Sequence, residues 1–419
     1  MKKERIKAIV LGCGNRGTAY CKAAEDVGDP YEIVAAVDFR DEALEFMQKR
    51  FGVPKDMCFK DYKEVLKFGK IADCVINTTM DNYHVETAVA FMEQGYDMLL
   101  EKPVANNKDD LLKVAEKARE NGCKLVVCHV LRYTPFYKKA KALIEEGAIG
   151  EVVHIDACEY PGVLLTDFSF IRGQWKNKDE CGSTFLLAKA CHDIDLVCWL
   201  NNSTKPLYVS SFGGRRFIVP EKAPEGAADN CFECKHSETC IYSVGYNSVR
   251  IKTIWGILPE GGAEEELRNL KNNKEKSRCA YKTNANIVDN QAVMIEFENG
   301  SMATFRLLSS GMPEVRNLFV KGTNGEIEGC LQKNKLVLRK YIVKTGEHEE
   351  IEYDLTDENV FKAHHGGDED LITDFNAYMR NEESSFSTPV IDDTIAGYLC
   401  VYATDKAMEN KEIVKINMD

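Results

Sequence analysis

Three groups of residues in this 419-residue chain have types and spacings that could do chemistry. Gly12, Gly14 and Gly17 form a G-x-G-x-x-G directly after the apolar run "KAIVL". Such a turn opens a helix whose free N–H groups favour an anion, and a dinucleotide pyrophosphate is the anion it suits. The segment "STFLLAKACHDIDLVCWL", residues 183–200, sets Lys189, His192, Asp193 and Asp195 inside an apolar run. Wound as a helix at about 100° per residue, it gathers Leu187, Ala190, Cys191, Ile194, Val197 and Cys198 on one side. Lys189, His192 and Asp193 gather on the other, with Leu196 and Trp199. That stripe is either a solvated face with a Lys189–Asp193 pair or a set of acid–base groups lining a cleft. The third group is "DNCFECKHSETC", where Cys231, Cys234 and Cys240 stand among polar neighbours. Structural cysteines prefer apolar surroundings, so this context favours a metal site. Zinc needs a fourth ligand. His236 lies only two residues from Cys234, an awkward reach, so Cys279 is the better choice for a closed four-thiolate structural site. An iron–sulfur cluster, free thiols and a disulfide stay open as alternatives.

The elements that must position these groups are legible from pattern. "YEIVAAVD" reads as a strand ending in Asp38, about 20 residues past the glycines, where an acid accepts ribose hydroxyls. Asp38 favours NAD, because it repels the 2′-phosphate of NADP; Arg40 beside it keeps NADP as the lesser option. Asn15 and Arg16 fall within the glycine turn and join the cofactor set. Apolar runs at "ADCVINTT", "YDMLL" and "KLVVCHV" alternate with helical patterns at "DEALEFMQKRF", "HVETAVAFMEQG" and "KDDLLKVAEKARENG". Strict alternation predicts an α/β, doubly wound parallel sheet with its ligand beyond the strand C-termini. Thr78, Thr79, Asn82, His84, Glu101 and Lys102 occupy such ends and should border the cofactor crevice. A lysine at that edge is either a surface cation or part of the reaction site.

Beyond residue 150 the runs become β-rich, as in "NQAVMIEFENGSMATFRLL", with Asn299-Gly300 a strong hairpin turn. Residues 215–285 are polar and poorly periodic and read as a surface excursion. The expected division is 1–130 for nucleotide binding and 131–419 for substrate binding and oligomerisation. A net charge of -13 argues against nucleic acid as a partner. No segment reaches the ~18 apolar residues that span a bilayer. The N-terminal "MKKERIKAIVLGCG" imitates a signal peptide, but its apolar run from Ala8 to Gly12 is too short for one. Sixteen cysteines, mostly within apolar runs, suit reduced thiols and a cytoplasmic protein.

The glycine fingerprint, "LLEKPVA", the R-x-x-P of "LRYTPFY", the R-G-x-W of "FIRGQW", the H-x-x-D of "CHDID" and "HHGGDEDL" occur in one order. In these motifs, over nearly its whole length, the chain resembles the glucose-fructose oxidoreductase / inositol dehydrogenase / MocA family. The resemblance implies a Rossmann domain followed by an α+β domain on a large, open, mainly antiparallel sheet. It implies NAD-dependent hydride transfer at a carbinol carbon of a sugar, glycoside or cyclitol, and a homo-oligomer, dimer or tetramer, formed through the open sheet face. It sets Lys102 against the reacting hydroxyl, His192 as acid/base or orienting group, and Asp195 as a helix anchor. Family members usually carry an aspartate four residues before that histidine; this chain has Ala188, followed by Lys189. A Lys102–Lys189–His192 site is therefore expected, each ammonium favouring the other's neutral form. Arg132, Tyr133, Tyr160, Arg172, Trp175, His364, His365 and Asp368 are the expected substrate contacts. Two other activities share these motifs: a redox-neutral glycosidase or lyase working through a 3-keto intermediate, and a non-catalytic nucleotide-binding sugar sensor.

Overall fold

Six short apolar runs form one parallel sheet: β1 Lys7–Leu11, β2 Glu32–Val37, β3 Cys58–Phe59, β4 Cys74–Asn77, β5 Asp97–Leu100 and β6 Leu125–Val127. In the computed structural model, which describes residues 4–309, 313–356 and 363–418, their order is β3-β2-β1-β4-β5-β6. Every pairing is parallel. Ala8 to Leu11 and Cys74 to Asn77 are wholly buried, because helices cover both sheet faces. Strand order reverses between β1 and β4, and that switch point opens the crevice where ligands of such sheets bind. β3 has two residues, too few to leave a pattern in the sequence.

The second sheet has nine strands: β7 Val152–Tyr160, β8 Pro206–Gly214, β9 Asn290–Phe297, β10 Met302–Leu308, β11 Val315–Gly322, β12 Gly325–Cys330, β13 Lys335–Ile342, β14 Glu347–Asp354 and β15 Val414–Lys415. Their order is β14-β13-β12-β11-β7-β10-β9-β8-β15. All pairings are antiparallel except β7 with β10. β9 alternates exposed and buried residues along its length, so one face packs and the other is open. Gly300 takes φ 82 in the β9–β10 turn, a left-handed conformation that suits glycine. The packed face is covered by the helices Cys191–Leu200 and Ile391–Asn410, which also pack on each other.

Three features differ from or add to the sequence expectations. Residues 183–200 are not one regular helix: a π-helical turn, Leu186–Ala190, precedes the α-helix Cys191–Leu200. All ten residues of that α-helix are buried, so its polar stripe faces protein rather than solvent. Its anchor is Asp195, which accepts from Arg132 Nε at 2.7 Å and Nη2 at 2.6 Å. Secondly, the helix Gly367–Met379 returns to the nucleotide-binding half. It packs on the helix Asn15–Asp26, and its Leu371, Ile372 and Phe375 share a core with Ala8 and Val10. Thirdly, residues 215–285 hold two helices, Val244–Ile254 and Gly262–Asn272, joined where Glu266 accepts from Ser248 at 2.7 Å and Lys252 at 2.6 Å. No helix of the described residues is long and apolar enough to cross a membrane.

Truncating one member of a fully buried ion pair strands the other charge. Asp195→Ala is expected to cost about 3–5 kcal/mol of stability in urea unfolding. A loss under about 1 kcal/mol would contradict the anchoring role of the Arg132–Asp195 pair.

Candidate active site

The crevice begins at the glycine turn. A Cβ on Gly12 would stand 2.4 Å from the Thr78 carbonyl oxygen, and one on Gly17 would stand 2.4 Å from the Gly12 oxygen. Thr78 Oγ1 closes the same approach, donating to the Gly12 carbonyl at 2.6 Å and to the Leu11 carbonyl at 3.1 Å. Around Gly14 the space is open, with only Arg40 Nη2 at 3.7 Å, and no side chain caps the helix that starts at Asn15. That bare helix N-terminus is fit for pyrophosphate. Asp38 lies at the end of β2, bound by Cys13 N at 2.9 Å and by Arg40 Nε and Nη2 at 2.9 Å each. Burial disfavours its charge, but the Arg40 hydrogen bonds outweigh burial and hold the carboxyl below its ordinary range. These residues fit a dinucleotide.

Arg16, expected at the cofactor, joins an ion-pair network in the first turn of the helix Asn15–Asp26. Its Nε donates to Glu101 at 2.8 Å, its Nη1 and Nη2 to Asp368 at 2.9 and 2.8 Å, and its Nη2 to Tyr20 Oη at 2.6 Å. Glu101 also accepts from Tyr20 Oη at 2.7 Å and from Lys102 N at 2.9 Å. Burial opposes the charge of Glu101, and Arg16 and Lys102 overcome it to lower its pKa. Asp368 is likewise held well below the carboxylate range, chiefly by Arg16 against the cost of burial. Arg16, Glu101 and Asp368 thus bind one another at the edge of the crevice.

Lys102 Nζ reaches across the crevice and donates to the Ala188 carbonyl at 2.7 Å. His192 sits nearby, buried, with its Nδ1 lacking a hydrogen-bond partner among the described residues. Its ring meets His129 edge-on at 5.4 Å. Burial first, and then the charges of Lys102, His129, His364 and Arg316, push His192 toward the neutral imidazole. Burial likewise lowers His129 to about 4.

Lys189 points elsewhere. Its Nζ lies 3.0 Å from Glu159 and 3.7 Å from Glu314. Arg316 completes the group, with Nε 2.7 Å from Glu159 and 2.9 Å from Asp193, and Nη1 2.5 Å from Glu314. Two cations therefore face three carboxylates. Burial pushes Glu159 up to about 7, and its two cations only partly offset that rise; Asp193 is raised in the same way. Glu314 goes the other way, to about 2, because Lys189 and Arg316 outweigh its burial. Lys189 lies within the π turn and pairs with Glu159 and Glu314.

Residues 6–129 match an oxidoreductase family with an NAD-binding Rossmann fold, and residues 141–416 match its C-terminal alpha/beta domain. The chain belongs to the Gfo/Idh/MocA oxidoreductase family. It is 25% identical over 307 residues to YteT of Bacillus subtilis, named as an oxidoreductase, covering 71% of this chain and 70% of that one. It is 24% identical to inositol 2-dehydrogenase of Salmonella typhimurium over 47% of this chain and 55% of that enzyme. Among solved structures, levoglucosan dehydrogenase with NADH and levoglucosan has the same fold, with TM-score 0.71 at 16% identity over 99% of this chain and 100% of that one.

In this Gfo/Idh/MocA protein, several expected ligand contacts are internal braces. Arg132 is 2% exposed and committed to Asp195. Tyr133 Oη donates to Asp374 at 2.5 Å, Trp175 Nε1 to Asp81 at 3.2 Å, and Arg172 pairs with Asp167. His84 is buried with its ring nitrogens 2.6 Å from the Pro103 oxygen and 2.9 Å from the Thr79 oxygen. Asn82 donates to the Glu180 carbonyl at 3.1 Å, and Thr79 Oγ1 to Asn77 at 2.8 Å. Tyr160, His364 and His365 keep surface open to a ligand. His364 and His365 do so in left-handed backbone, φ 49 and 53, a strained conformation for histidine.

Pattern reasoning passed over His129, Glu159, Glu314 and Arg316. A signal existed for two of them. Glu159 shares a strand face with Ile155 and Ala157 by the period of two, and Arg316 stands directly opposite it in the β11–β7 register. The zinc expectation is also corrected. Cys231, Cys234, Cys240 and Cys279 line one cavity, yet among the described residues no group of three or more His, Cys, Asp or Glu is arranged to hold a metal ion. A zinc tetrathiolate needs every sulfur about 2.3 Å from one point.

The raised pKa of Glu159 fixes a sign. Its stabilising proton is fully present below the ordinary value of 4.5 and is lost as pH rises through about 7. Glu159→Gln removes that titrating carboxyl. The Tm of the unaltered protein minus that of the variant should fall as pH rises from about 5 to about 8. A difference independent of pH would contradict the shared proton.

Proposed function

We propose that this protein is an NAD-dependent dehydrogenase that oxidises a CH–OH group of a sugar, glycoside or cyclitol. The observation that carries the reading is Lys102 at the C-terminal end of β5, near a buried His192 whose Nδ1 has no hydrogen-bond partner among the described residues, beside a glycine turn fit for a dinucleotide. Bound NAD supplies the hydride acceptor. Glycine-turn N–H groups hold the pyrophosphate, and Asp38 accepts the ribose hydroxyls, which favours NAD over NADP.

Lys102 has three donors, of which the Ala188 carbonyl occupies one. The others are available to a substrate oxygen, where the ammonium stabilises developing alkoxide charge. His192, kept neutral by burial and its cationic neighbours, accepts the hydroxyl proton. His129 packs edge-on against that ring, its own Nδ1 3.7 Å from Asp195. Tyr160, His364 and His365 bind the remaining hydroxyls. The names of the inositol and levoglucosan dehydrogenases support the polyol class.

The open face of the nine-stranded sheet carries exposed Tyr208, Phe212, Met294 and Met302, which supports pairing between copies of the chain. All sixteen cysteines are free thiols, which suits a reducing cytoplasm.

A panel of sugars, glycosides and cyclitols with NAD or NADP tests the reading, following reduced cofactor and product together. NADH formation with at least one polyol is expected. Lys102→Ala should still bind NAD but lose about 10²-fold or more in kcat. Aglycone release without net NADH would favour the redox-neutral reaction, and unchanged kcat in Lys102→Ala would end the assignment of that lysine.

A further inference from the structure

Glu314 stands one residue before β11, in the cluster of three carboxylates and two cations. Its Oε1 accepts from Arg316 Nη1 at 2.5 Å and lies 3.7 Å from Lys189 Nζ, while Oε2 takes no part in either contact. The side chain is 40% exposed, whereas those of Glu159 and Asp193 are buried. Of the three carboxylates, Glu314 is the one that a ligand can reach.

Two routes of contact lead to it from the reaction groups. Lys102 Nζ donates to the Ala188 carbonyl at 2.7 Å, and the next residue, Lys189, reaches Glu314. Asp193 follows His192 directly and accepts from Arg316 Nε at 2.9 Å, and Arg316 in turn holds Glu314. A third segment closes the group. The charge of His364 helps keep Glu314 ionised, and both Glu314 and Arg316 act on His365. The charges of His364 and Arg316 also reach His192. Lys102, His192, Glu314, His364 and His365 therefore border one space.

An ionised carboxylate only accepts hydrogen bonds, so it pairs with hydroxyls and repels another carboxylate. Hydrogen bonds to a charged acceptor are stronger than those between neutral groups. Lys189 and Arg316 are already committed to three carboxylates, which leaves this cluster no spare positive charge for an anionic substrate. We propose, resting on the dehydrogenase reading, that Glu314 is a substrate-binding residue whose open oxygen accepts substrate hydroxyls. It makes the crevice select neutral polyols over sugars that carry a carboxylate. Arg316 fixes the orientation of that oxygen before the substrate arrives, which lowers the ordering cost of binding.

Binding to the full chain loaded with NADH tests the inference by calorimetry, with glucose, methyl glucoside, inositol and glucuronate as probes. At least one neutral polyol is expected to bind, and glucuronate about 10-fold or more weaker than glucose. Glu314→Gln should weaken the best-bound polyol about 10-fold, narrow the gap between glucose and glucuronate, and leave NADH affinity unchanged. A purely structural role would lower the Tm without altering that gap. Polyol affinity unchanged in Glu314→Gln, glucuronate bound more tightly than glucose by the unaltered protein, or no polyol bound at all would each overturn the inference. The reading beneath it fails separately: polyol binding that depends on Glu314, without NAD reduction by any polyol, would end the dehydrogenase assignment and leave Glu314 in place.

Discussion

One guanidinium ties the nucleotide-binding half of the molecule to its returning C-terminal helix. Arg16 sits in the first turn of the helix that should receive the pyrophosphate, and it binds Glu101 at the end of β5 and Asp368 on the helix Gly367–Met379. Without that cation, two buried carboxylates would face each other in a medium of low dielectric. Lys102 follows Glu101 directly, so the position of its ammonium depends on the same contact. The glycine turn, the lysine and the returning C-terminal segment share one electrostatic origin.

A second charge cluster follows the same physics with a different sum. Around Arg16 the cation suffices to keep both carboxylates ionised. Around Arg316 and Lys189 there are three carboxylates for two cations, and burial retains a proton on Glu159 near neutral pH. That proton belongs to the coupled pair of Glu159 and Asp193. The first cluster keeps its carboxylates charged, while the second titrates near neutral pH.

Much of the fold was legible because its signals are local. The G-x-G-x-x-G after an apolar run, the helix–strand alternation and the Asn299-Gly300 hairpin each depend on a few adjacent residues. What pattern could not read are contacts between distant residues. Arg16 and Asp368 lie 352 residues apart, and Arg132 and Asp195 lie 63 apart. In sequence, such residues look like ligand contacts, since only the fold supplies their partners. The π turn escaped for another reason: a wheel drawn at a fixed angle cannot register a locally widened helix. In the cysteine cluster, polar neighbours and spacing suggested a metal site, yet among the described residues no group of three or more His, Cys, Asp or Glu is arranged to hold a metal ion.

Hydrogen exchange across the chain, measured beside NAD affinity in Arg16→Gln, addresses the central claim most directly. The substitution removes a charge that three elements share. Faster exchange in the helix Gly367–Met379 and around Glu101 and Lys102, together with weaker NAD binding, is the result this account predicts. Unchanged exchange in both regions with unchanged NAD affinity would contradict it.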